Sequence, residues 1–556
     1  MPETHCLGSI DEDILILIFS RLGVPDLLSV RQTCQRLNKT TRLRIVWYNA
    51  CVFNILRPGY PFPDVPLDDL TEFDLERYTR LAHRLSLRWS SRSLLHPPRQ
   101  SPATFDSFPL TRERTFKAST STEITAVRFL HGRRERYMLA VSKGIWSTLS
   151  LWRIDGPGGN NSQNAAAPHE CTKWSPKGAL FSRFILNRDV KSEGVVALSV
   201  FMAGEQNRRQ TIVLTLEGLE IADSGIEFRV LSTIDTTLEP MEMRGDIIAF
   251  ADESSQTVIF NRRTGLSGLL QHEQEQGVFL HDPCVQVVFA YHSVLVVRAR
   301  SLHLFPWPEL LAPDEIQPNR SISHHSFGWV DGISAVLPAR NFDERPDNDF
   351  NMLGNTPIMI LSRTPSHDPW SSDVCTLDLY KLEPNPAFVP PATNDAAPGF
   401  RNAISGATSP YIFPPLLTAQ ADSRRGPIRC LDIMMGKYGT AMWLHPRDST
   451  THGLVSSNTH LQEIPLPSTP WSDERLVAAV FSGPLDSAAQ DDMGVSAGLE
   501  RGAVPGVGRA RRGSEYVRVT TIARNVENDW TALDYDEAMG RVAIGSSFGK
   551  LTILEL

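Results

Sequence analysis

The stretch Ser9–Cys51, SIDEDILILIFSRLGVPDLLSVRQTCQRLNKTTRLRIVWYNAC, decides how the chain begins its fold. Asp11, Glu12 and Asp13 place negative charge in a first helical turn, where the helix dipole favours it. Ile14, Leu15, Ile18 and Leu22 then recur at helical spacing and make one apolar face. Gly23 stops that helix, and Pro25-Asp26 opens a second. Leu27, Val30, Cys34 and Leu37 carry the apolar face of the second helix. A third helical segment, Arg42 to Cys51, ends on Val46, Trp47 and Ala50. Roughly forty residues of helix make only a thin core. Phe19, Leu28 and Trp47 exceed what three short helices can hide. The reading is a helical module that completes its apolar cover against a partner.

The run Ile14-Leu15-x-x-Ile18-Phe19-Ser20-x-Leu22, then Pro25-Asp26-Leu27-Leu28, then Val30-x-x-x-Cys34-x-x-Leu37, then Trp47, resembles an F-box. The resemblance implies docking onto the adaptor subunit of an SCF-type ubiquitin ligase and, through it, onto cullin and RING subunits. It implies an adaptor surface drawn from Ile10, Ile14, Leu15, Ile18, Phe19, Leu22, Pro25, Leu27, Leu28, Val30, Cys34, Leu37 and Trp47. The family usually opens with Leu-Pro, and this chain has Ile10-Asp11 there.

Downstream, Pro58 to Pro66 is a proline-rich turn, and Thr71 to Trp89 reads as one helix. Leu75, Tyr78, Ala82, Leu85 and Trp89 share an apolar face, with Arg77, Arg80, Arg84 and Arg88 on the neighbouring one. The chain resembles members of the large fungal F-box families in carrying such an Arg- and Trp-bearing segment after the box. From about Arg114 onward the grammar is short strands set off by Gly, Asp, Asn and Ser turns. Units such as Gly194–Val200 with Thr211–Leu216, and Asp246–Phe250 with Thr257–Phe260, return at the spacing of propeller blades. The last unit, Trp530 to Leu554, resembles a WD-type blade. The expectation is an α + β chain: a three-helix F-box over 1–56, a linker over 57–110 with one amphipathic helix, and an all-β propeller of about seven blades over 111–556. A strand near Arg114 to Lys117 would complete the last blade and leave no open edge. Stretches near 156–169, 384–409 and 484–513 are rich in Gly, Ala, Pro and Ser and read as disordered insertions.

A net charge of −8 argues against general nucleic-acid binding, which wants a basic face. No apolar run approaches the roughly 18 residues a membrane helix needs. The seven cysteines are scattered without a C-x-x-C pair, so neither a zinc knuckle nor a dithiol pair is expected, and a cytoplasmic or nuclear setting follows. Gly545-Ser-Ser-Phe-Gly549 matches a hydrolase elbow in spelling. That chemistry needs a strand-to-helix turn with acid and His later in the chain, and a hairpin turn explains these glycines better. His324-His325 reads as an exposed loop rather than a metal site. No catalytic residue, cofactor or metal is expected. The work expected of the chain is to hold a protein client, and Arg424, Arg425 and Arg429, before a blade strand, are candidate client contacts.

Overall fold

The computed structural model describes residues 10–94, 108–118, 122–132, 135–154, 167–203, 209–219, 225–272, 282–328, 330–339, 356–365, 374–389, 409–424, 429–446, 473–486 and 515–556. The three expected insertions lie for the most part outside the described residues, as does Arg425.

The N-terminal stretch forms α1 (Glu12–Phe19), α2 (Val24–Arg31), α3 (Gln35–Thr40) and α4 (Arg44–Cys51), the last continuing into a π-helical turn, Val52–Leu56. Four short helices thus stand where three were expected, because the Pro25–Leu37 segment is broken. Cys34 is fully extended, with φ −154° and ψ 163°, and starts α3 instead of continuing α2. Thr33 Oγ1 and Asn38 Nδ2 donate to the carbonyls of Val30 and Arg31, which the break frees from helical bonding (2.7 and 3.2 Å). Helix α5 (Glu72–Leu94) follows. Thr71 caps it, its hydroxyl accepting the Asp74 amide at 3.2 Å. Leu75, Tyr78, Ala82, Leu85 and Trp89 are all buried, as their shared face requires.

The remaining described chain forms seven antiparallel blades, two of which gain a short fifth strand in parallel. Their first, innermost strands are Glu123–Phe129, Ala179–Leu186, Glu239–Arg244, Cys284–Ala290, Gly332–Val336, Ile433–Met435 and Trp530–Asp536. Second strands such as Ser293–Arg298 and Arg541–Ser546 are buried along their whole length, because neighbouring blades cover both faces. Apolar clusters fill the gaps between blades. Leu139, Leu149 and Leu151 of the first blade, for example, meet Leu198, Val200 and Leu214 of the second. Arg112–Lys117 closes the ring. It pairs antiparallel with Lys550–Glu555, from Arg112 opposite Glu555 to Lys117 opposite Lys550, as the sequence suggested.

Helix α5 seats the helical module on one face of this ring. Its apolar residues share a single cluster with Trp530, Leu533, Tyr535, Met539 and Leu556 of the last blade and Met442 and Leu444 of the sixth. Gly540, at φ +60°, turns the first hairpin of the last blade directly beneath the helix. A Cβ there would stand 2.5 Å from Leu85 Cδ2, so glycine serves both the backbone and the close approach. Tyr438 Oη donates to the Phe62 carbonyl at 2.8 Å, and Lys437 Nζ meets Asp64 at 3.2 Å. Both residues sit in the first hairpin of the sixth blade. The opposite face of the ring therefore carries the turns that follow the second strands.

Candidate functional site

The helical module sorts its apolar residues into two sets. Leu15, Phe19, Leu27, Leu37 and Trp47 are buried and form its core. Phe19 and Trp47 are thus hidden within the chain itself, contrary to expectation, because α5 and the π-turn add walls that three helices lack. The Trp47 indole N–H donates to the Thr41 carbonyl at 2.9 Å, and the Arg31 guanidinium lies 5.6 Å from its ring centre. Arg31 also grips Glu76 of α5 with both nitrogens, at 2.8 and 2.9 Å, tying α2 to the seating helix. Ile10, Leu22, Leu28 and Val30 are half-buried and pack against this core.

The second set faces outward. Ile14 is 50% exposed, Leu17 66% and Ile18 38%. Spaced at i, i+3 and i+4, they make one stripe along α1. Leu43 and Ile45, at the start of α4, are exposed as well. Pro25 and Cys34 are exposed, so Cys34 does not belong to the apolar face on which the sequence placed it. Sequence reasoning passed over Leu17, although its spacing from Ile14 was the signal that could have found it. Of the two acidic side chains in the α1 first turn, Asp13 borders the stripe, four residues before Leu17, while Glu12 accepts from the Thr40 hydroxyl at 3.4 Å.

Residues 12–52 match the F-box-like family model. The chain is thus an F-box-like module followed by a seven-bladed β-propeller. No curated protein matches the chain. Among solved structures, a chain of the Chaetomium thermophilum Polycomb Repressive Complex 2 bound to GSK126 aligns at TM-score 0.42 and 12% identity, covering 81% of this chain and 98% of that one. The C-terminal WD40 domain of Sif2 aligns at TM-score 0.38 and 8% identity, covering 80% and 98%. A chain of the mitotic checkpoint complex aligns at 0.39 and 7%, covering 83% and 97%. At such values these similarities say nothing of activity or partners.

The other candidates separate. Arg424 ends the outer antiparallel strand of the fifth blade, Leu416–Arg424, and Arg429 lies on the connection into the sixth; both are exposed. Ser547 sits in the hairpin turn between Arg541–Ser546 and Lys550–Glu555, with Gly549 at φ +72°, and no helix follows. His324 and His325 lie in a strand, Ser323–Ser326, rather than the loop expected of them. His324 and His303 face each other with rings 6.2 Å apart, and His303 stacks on His272 at 4.1 Å. Burial pushes His303 down to about 3 and His272 to about 4, so both are neutral near pH 7. Among the described residues no group of three or more His, Cys, Asp or Glu side chains could hold a metal ion, and no helix is long and apolar enough to cross a membrane.

Proposed function

We propose that this chain is a substrate receptor of an SCF-type ubiquitin ligase. The observation that carries the reading is the outward stripe Ile14, Leu17 and Ile18 on an F-box-like module whose core is otherwise complete. An apolar stripe left uncovered by its own chain suits a partner surface. The adaptor would cover it, together with Leu43, Ile45, Pro25 and the half-buried Ile10, Leu28 and Val30. The module would occupy 1–56, the linker 57–110 and the propeller 111–556. The propeller would present a protein client near the charged conjugating enzyme, so the receptor acts by proximity and performs no bond chemistry. Arg424, Arg425 and Arg429 are candidate client contacts.

Affinity capture of the purified full-length chain with the ligase adaptor tests this. The wild type should bind, and Ile14→Asp plus Leu17→Asp should lose binding with an unchanged melting temperature. A wild type that ignores the adaptor, or a double variant that binds as well, would refute the reading. Asp11, where the family usually has Pro, supports a second one: an F-box scaffold working outside the ligase. Under it, adaptor binding could be lost without any change in client level.

A further inference from the structure

Apolar clusters fill the gaps between neighbouring blades around the ring, and the outer half of one gap departs from this. A cleft of about 570 Å³ opens there, between the sixth blade and the last. That is within the usual size of a ligand site, roughly 300–1,000 Å³. Its two walls differ in kind. From the last blade come Glu113 and Thr115 of the closing strand and Lys550, Thr552 and Leu554 of the strand beside it. These are alternate positions, so this wall is one face of a sheet. From the sixth blade come Thr521, Ile522, Ala523, Arg524 and Asn525 in unbroken succession. Side chains alternate along a strand, so a run of neighbours bordering one space presents its backbone edge there.

That edge is open. Thr520–Asn525 is the outermost strand of the sixth blade, and among the described residues no strand pairs with its outer side. The Phe108 amide donates to the Thr521 carbonyl at 3.0 Å, so the edge takes backbone bonds, and the Thr111 amide donates to the Glu555 carbonyl at 2.7 Å. Residues 108–111 thus cross from one blade to the other at the end nearer α5, where Phe108 packs on Trp89 at 5.0 Å. Two other blades of this ring already carry an added strand at their outer edge. Pro318–Asn319 lies beside Ser267–Gln271, and Glu515–Val517 beside Leu416–Arg424, both parallel. The polar character of the facing wall is written into the sequence. On the other side of the same two strands, Phe116, Leu551 and Ile553 pack against the first blade, with Phe116 4.9 Å from Trp152. The cleft side carries Glu113, Thr115 and Thr552 instead, with Ile522, Trp530 and Leu554 as an apolar floor. Its carboxylates, Glu113, Glu527 and Asp529, outnumber its cations, Arg524 and Lys550, and Glu527 holds Lys550 at 2.7 Å.

We infer that this cleft takes an extended peptide segment of a protein client, added as a fifth strand to the sixth blade. Backbone bonds to the Thr521–Asn525 edge hold the segment, alternate side chains meet the floor and the Thr115 and Thr552 hydroxyls, and a Lys or Arg faces Glu113. Five strand residues span about 16 Å, so the segment is short. The inference takes from the ligase reading only that the chain holds a protein client.

A library of random nine-residue peptides displayed on phage and panned on the full-length chain supplies the probe. Enriched sequences, made as synthetic peptides, are then measured by fluorescence anisotropy. They should alternate β-branched or apolar residues with polar ones and carry a Lys or Arg. Thr115→Trp, which fills the cleft from an exposed position, should weaken them at least about tenfold. Glu113→Lys, also at an exposed position, should weaken them about threefold to fivefold. Methylating alternate peptide nitrogens along one edge should cost at least about tenfold, and along the other edge less than about twofold. Strand addition requires that split and face-only contact does not. The methylation series needs no variant, so the test survives if a substituted chain misfolds. No enriched sequence, peptides that bind Thr115→Trp as tightly as wild type, or an equal response to methylation on both edges would overturn the site. The Ile14→Asp plus Leu17→Asp protein should bind the peptides as wild type does, so failure here and failure of the ligase reading are separate events.

Discussion

Helices α1 and α5 are written in the same apolar grammar and end in opposite situations. On α5, Leu75, Tyr78, Ala82, Leu85 and Trp89 are all buried against the ring. On α1, Leu15 and Phe19 point inward while Ile14, Leu17 and Ile18 face solvent. Periodicity thus names a face and leaves open who covers it. For α5 much of the cover comes from the last blade, more than four hundred positions later in the chain. For α1 none of the described chain supplies it.

Substitutions can break this contrast or sharpen it. Trp47→Ala, at the heart of the helical module, should cost about 3–5 kcal/mol in chemical denaturation, and Leu85→Ala on α5 about 2–5. A cost under about 1 kcal/mol at Leu85 would mean that α5 is not seated on the ring. Gly540→Ala forces an L side chain into a left-handed turn and against Leu85, and should cost about 2 kcal/mol or more. Arg31→Met removes the paired grip on Glu76 and should cost about 1–3 kcal/mol, read from the same curves.

A pH effect comes next. Glu135, in the first hairpin of the first blade, faces α5. Burial and the neighbouring Asp536 push its carboxyl up to about 8, against a partial pull downward from Arg541. The folded protein therefore keeps a proton that the unfolded chain has released above its ordinary value of 4.5. The stability this adds is complete below that value and is lost as pH rises through about 8. Melting temperature should fall from pH 6 to pH 9, and Glu135→Gln should flatten the slope. The smallest effect belongs to α1. Ile14→Asp plus Leu17→Asp should move stability by no more than about 0.5 kcal/mol, since neither side chain is packed. A large loss there would show that the stripe is covered from within.

Much of the architecture was legible. The α5 face, the recurring strand units and the closing strand near Arg114 follow from spacing and turn chemistry, both local properties. The break at Gln32–Cys34 was not legible, because Val30, Cys34 and Leu37 keep helical spacing across it. The sorting of the F-box-like residues was not legible either. Whether Phe19 or Ile14 is the buried one depends on where α4, the π-turn and α5 stand, and no single segment contains that. The arginines that did catch the eye, Arg424 and Arg429, are exposed.

The closing strand has a consequence for biogenesis. Arg114 and Glu555, which form an ion pair across the seam, are 441 positions apart. The ring cannot shut until nearly all of that intervening chain has left the ribosome, and closures of such span are slow. Until then α5 has no seat, and its greasy flank stays in view of chaperones. A chain interrupted anywhere between the two strands would keep that flank bare, and so would carry its own mark of incompleteness.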